Sequence, residues 1–569
     1  MIDKANVRVQ MSALFEGQLT ASTPQSFHPL RRALGFAAKI GWSESRTMQR
    51  GISSNISIAA VPASDAWRKV LTLLLGLAIV HALIVLCTGI TNPLIDLHSF
   101  RQTQTALTAY TILKGGPWLA YETPVLGYPW SVPFEFPIFQ LLTAAVAWTG
   151  IPLDVAGRLV GFGFFLAVLL PLGLLYKTAG FRRTTYLATA ILYLTSPLYL
   201  YWSRTFLVES CALFFSISWL ALTARYFVAP NRYWLLAAVL CGCLATLAKS
   251  TTFPAFAVIG GVLTLVRLWN CLHAEPRARF VRMALLTTVN LLLPFVVGII
   301  WVWYSDRIKL GNPFGQLLTS EALTTWNFGS INQKLSTLLW IDTIRHRVLP
   351  DVLGRFVLVG LIVLGATLTS RRMMTAAVLA LIGFVIPFLV FTNLHIVHNY
   401  YQYANAIFLI AAIGFGLGQI YESAQRALAV TLTVVIVAGQ LLFFYERFSP
   451  YMTQDYSQQP LLRVAQFAHD TTDERQSLIV IGNDWSSAVP YLSKRRSLAI
   501  ASWTPRPLLE SILNDPQRFL GDAPLAGIVV CPGQIPGYKD NAPLITAFLA
   551  GRKQLGEFGG CELLSPDRL

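Results

Sequence analysis

The 569-residue sequence predicts a polytopic α-helical membrane protein that ends in a small α/β domain. Three observations carry that prediction. Apolar residues make up 54% of the chain and charged residues only 13%, about half the charged share of ordinary soluble domains. Apolar runs of about the 20 residues needed to cross a hydrocarbon core recur through the middle of the sequence, as at 70–89, 283–303 and 373–391. Past about residue 450 the composition turns mixed, with 13 acids and 12 Lys/Arg in residues 446–569.

Residues 1–67 are polar, Ser-rich and weakly basic, and residues 1–69 hold nine Lys/Arg against four acids. They predict a disordered tail on the cytoplasmic side, with Arg68 and Lys69 leading into the first span. No cleavable signal peptide is expected, because the first apolar run begins too far in and is too long. Residues 68–449 form the membrane domain. Its connections carrying Lys177, Arg182 and Arg183, Arg225 and Arg232, Arg267 to Arg282, Arg371 and Arg372, and Arg426 read as cytoplasmic. They alternate with external loops, which gives about eleven spans ending near Tyr445. The stretch 136–149 (FPIFQLLTAAVAWT) is short for a span and predicts an interfacial helix within the first external loop. Residues 450–569 then lie outside the cytoplasm, where SLIVIG (477–482), SLAIAS (497–502) and AGIVVCP (526–532) read as buried strands between helices such as 460–470.

The net charge of +16 is spread over short loops between apolar runs, not gathered into the continuous basic face that nucleic acid needs, so no nucleic-acid partner is expected. Cys87, Cys211, Cys241, Cys243 and Cys271 sit in or beside spans without metal-ligand spacing and read as core filler. Cys531 and Cys561 fall in the external domain, where a disulfide is allowed.

Only 11 acids occur in residues 68–445, and unpaired charge is costly near a bilayer, so each is informative. Asp96 follows the first span directly, in TNPLIDLHSFRQTQT. A helix beginning near it places His98, Arg101, Gln102 and Thr105 on one face, a polar stripe suited to an active-site wall. A plainer reading makes Asp96 the helix cap and pairs Arg101 with it or with lipid phosphate. Further polar groups stand at the external ends of other spans: Glu122 and Glu135 in the same loop, Arg204 and Glu209 at the start of the fourth span, Lys249 at the end of the fifth. His395, His398 and Tyr400 fall in the last large external turn. Each alone has an ordinary explanation, such as snorkelling for Lys249 or a local carbonyl for His398. Together they converge on one pocket open to both bilayer and water. The alternative is a lipid or sugar transporter or flippase, but such proteins place ionisable groups near the bilayer midplane in broken helices. A scaffold presenting the C-terminal domain would leave the polar cluster without purpose.

Five stretches carry a family resemblance: Asp96 after span one, VPFEFPIFQLL (132–142), TSPLYLYWSRTFLVES (195–210), CGCLATLAKSTTFP (241–254) and HIVHNYYQYAN (395–405). Their order resembles the GT-C fold of polyprenyl-phosphate-sugar-dependent glycosyltransferases, in particular the branch of the lipid A aminoarabinose transferase and the protein O-mannosyltransferases. WSSAVPYLSKRRSLAI (485–500) is similar to members with a soluble tail. Where relatives often carry an acidic pair after span one, this chain has Asp96-Leu97-His98.

The resemblance implies a multi-pass enzyme of the bacterial inner membrane with a periplasmic active site and C-terminal domain. The donor would be a sugar on undecaprenyl or a similar polyprenyl phosphate; the acceptor a glycolipid such as lipopolysaccharide, a polysaccharide or a protein. Phosphate leaves readily, so a single base suffices: Asp96 would deprotonate the acceptor hydroxyl, with inversion. Lys249, Arg101 and Arg204 are the cations for the departing phosphate. Glu209 would orient Arg204 or a sugar hydroxyl, and His98, Gln102, Glu122, Glu135, His395, His398 and Tyr400 would line the substrate site. Asp96 and His98 with His395 and His398 also allow a divalent metal; otherwise the histidines bond sugar or phosphate. Trp118, Tyr121, Tyr128, Trp130, Tyr400 and Tyr401 suit sugar stacking or an interfacial belt.

Overall fold

The computed structural model describes residues 63–568; the tail expected on the cytoplasmic side lies outside them but for its last residues. The bundle begins with α1 (Ala63–Cys87), which buries Leu71, Val85 and Leu86 together with two alanines and keeps large apolar side chains on its outer face as well. Ala78 and Ala82 are buried while Leu73, Leu77 and Ile84 are exposed. An outer face of large apolar side chains suits lipid, and the alanines let neighbouring helices pack close.

Next come α2 (Ser99–Leu113) and the ten-residue α3 (Ile138–Ala147), the short helix expected in the first loop. The remaining rods are α4 (Leu153–Thr178), α5 (Arg183–Thr195), α6 (Pro197–Trp202), α7 (Glu209–Val228), α8 (Arg232–Ala248), α9 (Phe253–Ala274) and α10 (Arg277–Lys309). They are followed by α11 (Leu338–Thr369), α12 (Arg371–Val390), α13 (Ala406–Glu422) and α14 (Arg426–Arg447). Among the described residues eight helices are long and apolar enough to cross a membrane. The shorter α8 and α13, with α5 and α6 as one buried rod broken at Pro197, bring the set to about the eleven expected. Gly414 and Gly418 show why α13 lies so close to α5: a Cβ at either position would collide with the hydroxyl of Thr189 or Thr185.

The C-terminal residues form a five-stranded sheet ordered β2-β1-β3-β5-β4. The strands are β1 (Ser477–Ile481), β2 (Arg496–Ile500), β3 (Leu525–Val530), β4 (Arg552–Phe558) and β5 (Cys561–Arg568). The first three are parallel and match the three apolar runs; β4 and β5 add an antiparallel hairpin. Its turn is Gly559-Gly560, both at positive φ, which glycine alone adopts without strain. A Cys531–Cys561 disulfide ties the end of β3 to the start of β5.

The outer edge of β2 is not free. Ser497 N and Ala499 N donate to the carbonyls of Pro124 (3.0 Å) and Val125 (2.8 Å), and Gly127 N donates back to Ser497 O (3.2 Å). The first extramembrane loop thus adds an antiparallel segment to the sheet, bridged at Leu126 and Leu498. Val125, Leu126, Trp130 and Val132 of that loop, with Phe314 and Leu318 after α10, complete the core of the C-terminal domain. Burying side chains of this size stabilises by roughly 1.5–3 kcal/mol each. Asn312 donates to the carbonyls of Leu126, Gly127 and Pro129, at 3.3, 3.1 and 2.8 Å. Loop and domain share one core.

Candidate active site

The turn after α1 is shaped by two buried arginines. Arg158, from α4, donates through Nη1 to the carbonyls of Ile90 and Asn92, both at 2.7 Å. Arg204, between α6 and α7, donates to Gly89 O at 3.0 Å. Both are 1% exposed. The turn they hold leads into Asp96, which is partly exposed and accepts a hydrogen bond from Gln102 Nε2. Gln102 is itself fixed, donating to Leu97 O (2.9 Å) and accepting from Phe206 N (3.1 Å). Burial pushes the Asp96 carboxyl above the usual carboxylate range, while the charges of Arg204 and Arg158 and the bonds from Gln102 and Tyr201 limit the rise.

Asp96 does not cap α2 with its side chain. The N-cap is His98, in left-handed backbone (φ 52), with no side-chain cap bond; Asp96 contributes only its carbonyl, to Ser99 N at 3.2 Å. A non-glycine residue in this region costs of order 1–3 kcal/mol. The conformation sets the His98 ring among Tyr400, His398 and Trp202, at centroid distances of 4.9, 5.6 and 5.7 Å.

A second cluster lies one helical step around α2. Arg101 pairs with Glu135, not with Asp96, and also donates to Gln104. Burial favours the neutral acid at Glu135, but Arg101 and then Lys249 outweigh it and hold the carboxyl below its ordinary value. Glu135 is placed by its neighbours: Tyr121 OH donates to Glu135 O (2.8 Å), Phe134 N to Tyr121 OH (2.6 Å), and Trp301 Nε1 to Phe134 O (2.9 Å). Lys249, just past α8, meets Glu209 Oε1 at 2.5 Å, the two side chains being 4% and 2% exposed. Its ammonium lies 3.9 Å from the Tyr401 ring centroid and 5.2 Å from that of Tyr400.

The structure therefore brings Asp96, His98, Arg101, Gln102, Glu135, Arg204, Glu209, Lys249, His398 and Tyr400 to one end of the bundle. Two other candidates lie elsewhere. Glu122 faces the C-terminal domain and pairs with Arg496 at 3.2 Å. His395 is buried beneath the cluster, its ring against Phe388 (4.6 Å) and its carbonyl accepting from Arg347 and Gln402. Burial, with the nearby Lys249 and Arg347 charges, drives its pKa down to about 3, so its imidazole is neutral. Among the described residues no three His, Cys, Asp or Glu side chains gather as a metal-ligand set, and Asp96, His98, His395 and His398 are not brought together as one.

Arg158 was not among the sequence candidates. Its signal was visible: it is the one charge between Asp154 and Lys177 in an otherwise apolar run. Tyr201 and Trp202, which wall the Asp96 side, are buried aromatics in a long aromatic-rich stretch and gave no such signal.

No protein-family model matches the sequence, and no curated protein matches it. Solved structures match in fold. ArnT from Cupriavidus metallidurans bound to undecaprenyl phosphate superposes with a TM-score of 0.56 at 14% identity, over 86% of this chain and 97% of that one. Its apo form gives 0.56 at 14% identity, over 88% and 98%. The arabinofuranosyltransferase AftD from Mycobacteria gives 0.51 at 14% identity, over 86% of this chain and 39% of that larger one. The architecture is the GT-C fold of these membrane proteins.

Proposed function

We propose that the protein is an integral-membrane glycosyltransferase that moves a sugar from a polyprenyl-phosphate donor to an acceptor hydroxyl at the extracytoplasmic face of a bacterial inner membrane. The observation that carries this reading is the cluster itself: one partly exposed carboxylate and four cations, drawn from five segments, at one end of a bundle whose fold matches a structure bound to undecaprenyl phosphate. The Cys531–Cys561 disulfide supports an oxidising compartment for that end, since its domain is built onto the same loop.

In this reading Asp96 is the general base. It takes the proton of the acceptor hydroxyl as that oxygen attacks the anomeric carbon from the side opposite the phosphate, and the bond to the phosphate oxygen breaks with its electron pair going to phosphate. Arg158 and Arg204 keep Asp96 oriented and favour its ionised form. At rest Lys249 and Arg101 are paired with Glu209 and Glu135; the donor phosphate competes for those cations. His98 and Tyr400 form the wall between the two groups.

The test is transfer from purified undecaprenyl-phosphate-linked sugars by the full-length protein in nanodiscs, wild type against Asp96→Asn. Loss of transfer with retained donor binding is expected. Wild-type turnover by the variant would remove Asp96 as the base.

A further inference from the structure

The C-terminal sheet turns one particular edge toward the cluster. Strand β1 lies between β2 and β3, so the chain leaves β1 to one side and β3 enters on the other. In open parallel sheets ligands bind where connections diverge in this way, beyond the carboxyl ends of the strands. Here that position is held by Gly482–Ser487 after β1, and Trp503, after the neighbouring β2, reaches it through Asp484.

The loop has features of a built site. Gly482 and Asp484 both take left-handed backbone, at φ 87 and 51, and a non-glycine residue is strained there. Asp484 Oδ1 accepts from Trp503 Nε1 at 2.9 Å, which ties the two connections together. Trp485 and Trp503 both remain partly exposed. Asn483 Nδ2 and Ser487 Oγ make no hydrogen bond within the protein, so donor capacity is left unused. The Trp485 ring packs on Phe100 (4.8 Å) and Phe134 (5.7 Å), the residues directly before Arg101 and Glu135. The loop therefore borders the catalytic cluster. It is held there by the segment added to β2 and by the hydrogen bond from Tyr491 OH to Asp154.

The chemistry selects the ligand. Two indoles beside a carboxylate and a primary amide suit a saccharide, whose apolar faces stack on rings while its hydroxyls bond polar groups. The segment Gly482–Ser487 carries an acid and no cation, which disfavours phosphate. We infer that this loop, with Trp503, binds the saccharide of the acceptor and presents it to the Asp96 cluster. The inference rests on the glycosyltransferase reading and names its acceptor class: a sugar hydroxyl of a glycolipid or polysaccharide, not a protein side chain.

The experiment uses the full-length protein in nanodiscs and two measurements. Saturation-transfer NMR follows binding of two probes from the source organism, deacylated lipopolysaccharide oligosaccharide and a hydrolysate of its soluble polysaccharide; a separate titration follows undecaprenyl phosphate. Trp485→Ala and Trp503→Ala should each weaken oligosaccharide binding by about tenfold, as loss of one stacking contact implies, and leave undecaprenyl-phosphate affinity unchanged. Trp485→Phe, which keeps the contact with Phe100 and Phe134, should retain most of the binding. Whichever probe binds identifies the source as glycolipid or polysaccharide. The inference is overturned if wild type binds neither probe, if Trp503→Ala binds as wild type, or if the alanine variants lose both ligands together, as a purely structural anchor would. Failure of undecaprenyl-phosphate binding in wild type, with oligosaccharide binding intact and tryptophan-dependent, would instead overturn the donor assignment and leave the saccharide site standing.

Discussion

The two charge groups at the end of the bundle are balanced differently. Arg101 with Glu135 and Lys249 with Glu209 are matched one to one and close in contact. Around Asp96 two guanidiniums face a single carboxylate, and Arg158 Nε and Nη2 and Arg204 Nε and Nη1 make no hydrogen bond within the protein. On the proposed reading, the difference suits one group to act as base and the other to receive the donor phosphate. Matched pairs are tolerable at rest and release a cation only to a better anion, whereas surplus positive charge opposes the burial that would otherwise leave Asp96 neutral.

The comparison can be broken at its strongest point first. Asp96→Asn keeps an acceptor for Gln102 but removes the base, and transfer should fall by about 10²–10⁴-fold in a single-turnover assay, with the melting temperature little changed. Next, Lys249→Met strands Glu209 at 2% exposure, and breaking a buried pair this way costs about 3–5 kcal/mol, read as a lower unfolding midpoint. Adding Glu209→Gln should restore much of that stability without restoring transfer; if stability and activity return together, the pair is structural only.

Arg158→Gln should act more gently. Wild-type turnover should fall on the acid side as Asp96 takes a proton, at a pH above that of an exposed aspartate, because burial raises its pKa. Loss of the Arg158 charge raises it further, so the acid limb should move to higher pH, read from the pH profile of turnover. An unmoved limb would sever the link between Arg158 and the base. The smallest effect is expected at Glu122→Gln, which breaks a half-exposed pair with Arg496: about 1 kcal/mol or less in stability, and wild-type turnover.

The spans and the three central strands could be read from the sequence because each depends on a local pattern, a long apolar run or a short one bounded by turns. Strands β4 and β5 could not. Lys553, Gln554 and Leu555 of β4 are exposed, so the segment shows no buried stripe, and only its Gly-Gly turn hinted at a hairpin. At the site, Asp96, Arg101, Glu135, Arg204, Glu209 and Lys249 stood out as polar groups at span ends, but their pairing did not. Arg101 meets Glu135 only because Tyr121 and Trp301 place the Phe134–Glu135 backbone, contacts that no spacing encodes. Glu122 was misdirected for a related reason: its loop enters the C-terminal sheet, so the side chain faces Arg496.

The segment that Pro124–Gly127 lends to β2 also governs how the molecule is made. An edge strand without it would present unpaired amides and carbonyls beside the apolar side chains that Val125 and Leu126 cover, a surface prone to pairing with other chains. The lending loop is synthesised early and its sheet last, so the contact is of very high sequence separation and must form late. A severed C-terminal fragment would therefore be sticky, and a chain truncated before residue 450 would leave the early loop waiting for a partner that never arrives.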